Sequence, residues 1–184
     1  MVFLGTSLTA GYGIGEDLAY PALIRQKIDS AGLRYRVVNA GVSGETSAGG
    51  LRRLEWLLKD PIAVLVLELG ANDGLRGQDV DSMEANLRAI VARTRAAYPD
   101  ARIVLAGMQA PPNLGLLYAR RFAKAFPLVA QETGSALIPF LLEGVAAVDS
   151  LNQPDGKHPT AAGHAIIAET VWRVLEPELQ NRRS

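Results

Sequence analysis

The chain has 184 residues, no cysteine, and 19 basic against 19 acidic side chains, for a formal net charge of zero. That length predicts one domain over 1–184, with a polar tail from about 178 and a core that stands without cross-links. The missing cysteine excludes disulfides, thiolate metal sites and cysteine nucleophiles, and the balanced charge offers no footprint for nucleic acid or a membrane surface.

Val2-Phe3-Leu4 is a short apolar run that stops at Gly5, the pattern of a buried strand entering a turn. Tyr20, Leu23, Ile24 and Ile28 keep helical spacing from Tyr20 to Ala31, with Pro21 suited to the first turn and Gly32 to the exit. Tyr35 to Asn39 reads as a second strand. Leu51, Leu54, Leu57 and Leu58 mark a helix that Pro61 ends. Ile62 to Leu69 is nearly continuous aliphatic sequence and reads as a central strand covered on both faces.

Asp81 with Glu84 has the spacing of a helix start, and Leu87, Ile90, Val91 and Thr94 give its buried face. Ile103 to Ala106 is the next strand, Leu116 to Thr133 a helix, and Ala136 to Ile138 a last short strand. Thr160 to about Leu175 closes the fold, with Thr160 as cap. Strands alternating with helices predict a three-layer α/β/α domain on a mainly parallel sheet of about five strands. No apolar run reaches the length of a membrane span, so no stable membrane insertion is expected. No signal peptide is visible, but Met1 to Leu4 begins inside a strand, which leaves room for upstream residues in a precursor. Arg182-Arg183 reads as part of a frayed polar end.

In such a fold every strand's C-terminal end meets one edge of the sheet, where open α/β sheets bind ligands. Four segments follow strands directly: Gly5-Thr6-Ser7, Gly41-Val42-Ser43-Gly44, Gly70-Ala71-Asn72-Asp73 and Met108-Gln109-Ala110. Ser7 is the candidate nucleophile, and a serine hydroxyl needs a base. The chain has two histidines. His158 has Asp155 three residues before it, so one turn of chain presents both side chains together. Asp155 would then fix the imidazole tautomer and stabilise the imidazolium. Acyl transfer also needs donors for the oxyanion, and Ser7 N–H, the backbone at Gly44 and the Asn72 amide are the candidates.

Each residue alone has an ordinary reading. A serine after a strand is a turn or helix cap, Gly44 a turn glycine, and Asn-Asp after a strand is loop chemistry. Gathered on one edge in the order Ser, Asp, His, they point to a serine hydrolase. His164 reads as packed in the last helix, Asp73 as shaping the turn that carries Asn72, and Glu68 as hydrogen-bonded near its strand's end.

Gly5-Thr6-Ser7-Leu8, Gly44, Gly70-Ala71-Asn72-Asp73 and Asp155-Gly156-Lys157-His158-Pro159 together resemble the four blocks of the GDSL esterases, or SGNH hydrolases, over nearly the whole chain. The stretches Asn39–Ser47 and Leu67–Gly77 are most similar to the branch of bacterial arylesterases and thioesterase I/lysophospholipase L1. The resemblance implies a flavodoxin-like α/β/α fold, no metal and no cofactor. It implies small ester or thioester substrates, lysophospholipids among them. It carries Ser7, Asp155 and His158 as the triad, and Ser7, Gly44 and Asn72 as the oxyanion hole. The related thioesterases also have a substrate-facing loop where Met108–Leu116 lies, which makes Ala110, Pro111 and Leu114 candidate acyl contacts. Members of this branch are often periplasmic or secreted.

Thr6 stands where the family usually has Asp, so the hydrogen bonds that hold the nucleophile turn are expected to differ. The stretch Gly5-Thr6-Ser7-Leu8-Thr9 lacks the Gly-x-Ser-x-Gly elbow of α/β-hydrolase lipases. A carbohydrate O-deacetylase is the nearest rival activity, and few aromatics for sugar stacking weigh against it. A non-catalytic nucleotide- or phosphate-binding module would use Gly11-Tyr12-Gly13-Ile14-Gly15, but the glycine spacing departs from the dinucleotide fingerprint.

Overall fold

The computed structural model describes residues 1–180. Among them, β1 (Val2–Gly5), β2 (Val38–Gly41), β3 (Val64–Glu68), β4 (Arg102–Ala106) and β5 (Ala136–Ile138) form one sheet in the order β2-β1-β3-β4-β5. Every neighbouring pair is parallel. The residues of β3 are all buried, as its nearly continuous aliphatic run requires. Leu65 and Leu67 are wholly removed from water, and burying such a side chain is worth about 1.5–3 kcal/mol.

Between the strands lie α1 (Ser7–Ala10), α2 (Tyr20–Ser30), α3 (Ser47–Leu57), α4 (Ala71–Leu75), α5 (Val80–Ala97), α6 (Leu116–Thr133) and α7 (Ala161–Gln180). α2 packs on α7, while α3, α5 and α6 pack in series, which gives the three-layer α/β/α arrangement. The chain leaves β1 toward β2 on one side and returns to β3 on the other. The C-terminal ends of β1 and β3 therefore flank the point where strand order reverses, the usual ligand crevice of this architecture.

Four expectations from sequence are corrected. β2 starts at Val38, not Tyr35, because pairing with β1 begins at Val2↔Val38; ahead of it only the Met1 amino group bonds the Arg36 carbonyl, at 2.8 Å. The cap of α5 is Asp79, whose carboxylate accepts Ser82 N–H at 2.7 Å. Glu84 pairs instead with Arg88 and Arg121. The last helix runs through Pro177 to Gln180, because Leu175 and Leu179 continue its buried face. The first residues of the expected tail, 178–180, are thus helical, and Arg182-Arg183 lies outside the described residues.

Candidate active site

Ser7 opens α1, a helix of four residues directly after β1. Asp155 and His158 lie in the loop ahead of α7, which is pinched shut by a bridge between Asn152 and Pro159 and by Thr160 N–H bonding the Leu151 carbonyl at 2.9 Å. The loop delivers His158 to Ser7. Nε2 of His158 lies 2.9 Å from Ser7 Oγ, and Nδ1 lies 2.6 Å from Asp155 Oδ2. The other carboxylate oxygen accepts the backbone N–H groups of Lys157 (2.9 Å) and His158 (3.0 Å).

The His158 ring, then these backbone donors, hold the Asp155 carboxyl far below the usual carboxylate range. It is therefore an anion at any working pH and keeps the proton of the neutral imidazole on Nδ1. Nε2 is left as an acceptor facing the serine hydroxyl.

Gly44 lies in the loop after β2 with φ +79°, a conformation that suits glycine. Its carbonyl takes Nη2 of Arg76 at 3.0 Å. Among the described residues neither Ser7 N–H nor Gly44 N–H donates within the protein. Asn72 sits in α4, and its Nδ2 donates to the carbonyl of Glu45 at 2.9 Å. One amide hydrogen is thus spent on the residue next to Gly44, fixing the plane of the group and leaving its second hydrogen.

The loop bearing Gly44 is held from below. Arg53 of α3 bonds both Glu45 carboxylate oxygens through Nε (2.8 and 2.7 Å) and the Ala40 carbonyl at the end of β2 through Nη2 (2.6 Å). Asp73 accepts Ser47 N–H at 2.9 Å and Ser47 Oγ at 2.6 Å, tying α4 to the start of α3.

Thr6 caps α1, its Oγ1 accepting Leu8 N–H at 3.4 Å. His164 is buried against Tyr20, whose backbone N–H it accepts at Nδ1 (3.1 Å), and stands apart from the relay. Ala110, Pro111 and Leu114 follow β4 on the same edge, half-buried. Leu114 Cδ2 lies 3.5 Å from where a side chain at Gly77 would begin, so this loop leans on the turn after α4. No group of three or more His, Asp or Glu side chains among the described residues is placed to hold a metal ion, and no helix there is long and apolar enough to cross a membrane.

Contacts of Tyr12 and Gln153 that brace the site escaped sequence reasoning. The Tyr12 ring lies against His158, centroids 4.5 Å apart. Gln153 Nε2 bonds the Tyr12 carbonyl (2.7 Å) and the Pro159 carbonyl (3.0 Å), stapling the nucleophile's loop to the acid–base loop. The glycines weighed as a phosphate loop thus wrap this staple: a side chain on Gly13 would collide with Gln153. Neither contact follows a local spacing rule, since the Gln153–Tyr12 bond spans 141 residues.

The GDSL-like lipase/acylhydrolase family matches residues 3–166. The chain is 41% identical over 180 residues to the esterase TesA of Pseudomonas aeruginosa, covering 97% of this chain and 89% of that one. It is 40% identical over 179 residues to the thioesterase 1/protease 1/lysophospholipase L1 of Escherichia coli, covering 96% and 83% respectively. Among solved structures, a psychrotrophic esterase EstA from Pseudoalteromonas sp., inhibited by monoethylphosphonate, superposes with a TM-score of 0.90 at 35% identity, covering 98% of each chain.

Proposed function

This chain belongs to the GDSL-like lipase/acylhydrolase family, and on that premise we propose that it hydrolyses esters through an acyl-enzyme on Ser7. It is a carboxylic ester hydrolase of the serine type. We read residues 1–184 as one catalytic domain, with small acyl and aryl esters as substrates and acyl thioesters and lysophospholipids as further ones. Carbohydrate O-deacetylation and nucleotide binding are not favoured.

The observation that carries the reading is the relay from Ser7 Oγ to His158 Nε2 to Asp155, with both links within hydrogen-bond reach. In the first half-reaction Ser7 Oγ bonds to the ester carbonyl carbon while its proton passes to Nε2. The carbonyl oxygen becomes an anion facing Ser7 N–H, Gly44 N–H and the second Asn72 amide hydrogen. As the intermediate collapses, the bond to the leaving oxygen or sulfur breaks and Nε2–H protonates that atom. Water then repeats the sequence in reverse, freeing the acid and restoring the serine.

The test is covalent. An organophosphate with a p-nitrophenol leaving group should modify Ser7 stoichiometrically and abolish p-nitrophenyl ester hydrolysis, and Ser7→Ala should lose both. A folded Ser7→Ala variant whose activity stays within roughly tenfold of wild type would sink the assignment.

A further inference from the structure

Glu68 ends β3 with a wholly buried carboxylate that the relay does not use. No cation pairs with it among the described residues. Its partners are all donors, and all come from the two residues that bracket the start of α1. Thr6 N–H reaches Oε2 at 2.8 Å, the Thr6 hydroxyl lies 3.0 Å from each carboxylate oxygen, and the Thr9 hydroxyl donates to Oε2 at 2.8 Å. Tyr20 OH completes the chain 2.7 Å from Thr9 Oγ1. These residues stand one before and two after Ser7.

Four residues of helix have no cooperative stability of their own. Something outside α1 must fix its axis, and with it the direction in which the Ser7 side chain leaves the backbone. We propose that Glu68 is a positioning residue for the nucleophile, acting through Thr6 and Thr9; the inference rests on Ser7 being the nucleophile.

The surroundings are built for the contact. A methyl on Gly5 would begin 2.0 Å from Thr9 Oγ1 and 2.6 Å from Glu68 Oε2, so the carboxylate reaches the turn only because residue 5 has no side chain. Thr6 matters for the same reason. It offers the carboxylate a hydroxyl hydrogen and uses the same oxygen to cap Leu8 N–H. An aspartate at position 6 would instead set two carboxylates within hydrogen-bond reach, and such a pair is stable only when it shares a proton. The uncharged donor at position 6 lets Glu68 hold the turn directly.

The experiment compares four variants in kcat, KM and the rate at which the organophosphate modifies Ser7. Folded protein is quantified by circular dichroism. Glu68→Leu removes the acceptor, and Thr6→Val removes the hydroxyl while keeping the shape. Each should lower kcat and the labelling rate together by about tenfold or more, with KM within about threefold, because a small displacement of a reacting atom costs rate and not binding. Glu68→Gln keeps an acceptor oxygen at the same reach and can donate to Thr6 Oγ1, and Thr6→Ser keeps the hydroxyl. Both should stay within about threefold of wild type.

If Glu68→Leu fails to fold, Thr6→Val decides alone. Folded variants that keep the wild-type kcat and labelling rate, or that lose only KM, overturn the proposal and leave Glu68 a stabilising group. Failure of the wild type to label at Ser7 overturns this inference together with the catalytic assignment.

Discussion

The ring of Tyr12 lies across the imidazole of His158, with centroids 4.5 Å apart and planes tilted by 41°. Tyr12 is half exposed, so the ring shields one face of the imidazole without enclosing it. Contacts of this kind are worth about 0.5–1.5 kcal/mol, which is a two- to tenfold effect on rate if it is lost at the transition state. Tyr12→Ala should therefore lower kcat/KM for p-nitrophenyl acetate several-fold, and Tyr12→Phe should leave it unchanged. Equal rates for all three proteins would make Tyr12 a rim residue with no hold on the base.

The two histidines should separate cleanly. His158→Ala removes the only imidazole facing Ser7 and should abolish most activity. His164→Ala leaves the relay whole, so kcat per folded molecule should stay close to wild type while the melting temperature drops. Activity of the wild type should fall on acidification, because only a neutral imidazole can take the Ser7 proton. The reverse pattern for the two alanine variants would mean that the base has been misassigned.

Stability should carry two opposed pH slopes. Burial pushes the Glu68 carboxyl from 4.5 up to about 7, against the pull of the Thr6 and Thr9 hydrogen bonds. Between those values the folded state binds more protons than the unfolded one, so stability declines as pH rises through the window. Burial, with a smaller contribution from His158, lowers His164 from 6.5 to about 4. There the unfolded state binds more protons, and stability climbs with pH. The slopes oppose each other over roughly pH 4.5–6.5. Across that range the melting temperature of His164→Gln should fall with pH, and that of Glu68→Gln should rise. Parallel curves for both variants would show that neither group titrates as described.

Asn72→Ala should cut kcat by about 10²-fold, with a smaller change in KM, as loss of an oxyanion donor does. The bond from Asn72 to the Glu45 carbonyl adds a second expectation. The truncation also frees the loop that carries Gly44, so the loss should exceed that of a donor acting alone. A variant changed only in KM would make Asn72 a substrate-positioning group and leave the oxyanion to backbone amides.

Specificity can be probed at the loop after β4. Replacing Ala110 or Leu114 by bulkier residues should shift the preferred acyl length, since a methylene in an apolar acyl pocket is worth about 1–3 kcal/mol. A panel of p-nitrophenyl esters from acetate upward gives the profile. Parallel loss for short and long chains, or no change, would make the segment a connector and place the acyl group elsewhere, against Leu8 or Leu75.

The relay was legible because the chain holds only two histidines and because Asp155 and His158 are close enough for one turn to carry both. The long helices and β3 were legible for the same local reason, a period of apolar residues that burial enforces. α4 was not: Ala71-Asn72-Asp73-Gly74-Leu75 contains poor helix formers, and it coils because Ser47 fixes Asp73 from another element. The cap of α5 was misplaced because Asp79 and Asp81 are chemically equal, and only the reach to Ser82 N–H decides between them. Of the supports of the site, Arg53 pairs with the Glu45 carboxylate and Gln153 with the distant Tyr12 carbonyl, and neither obeys a spacing that sequence displays.

Ser7 and His158 are separated by 151 residues, the first delivered by β1 and the second by the loop ahead of α7. In chain order the hydroxyl follows the first strand and its base comes only after the fifth. A growing chain can complete the entire sheet and still hold an inert serine. The relay needs the loop ahead of α7 in place beside Ser7, so the onset of hydrolysis should come late in folding. In a refolding experiment it should lag behind the recovery of secondary structure and coincide with helix docking.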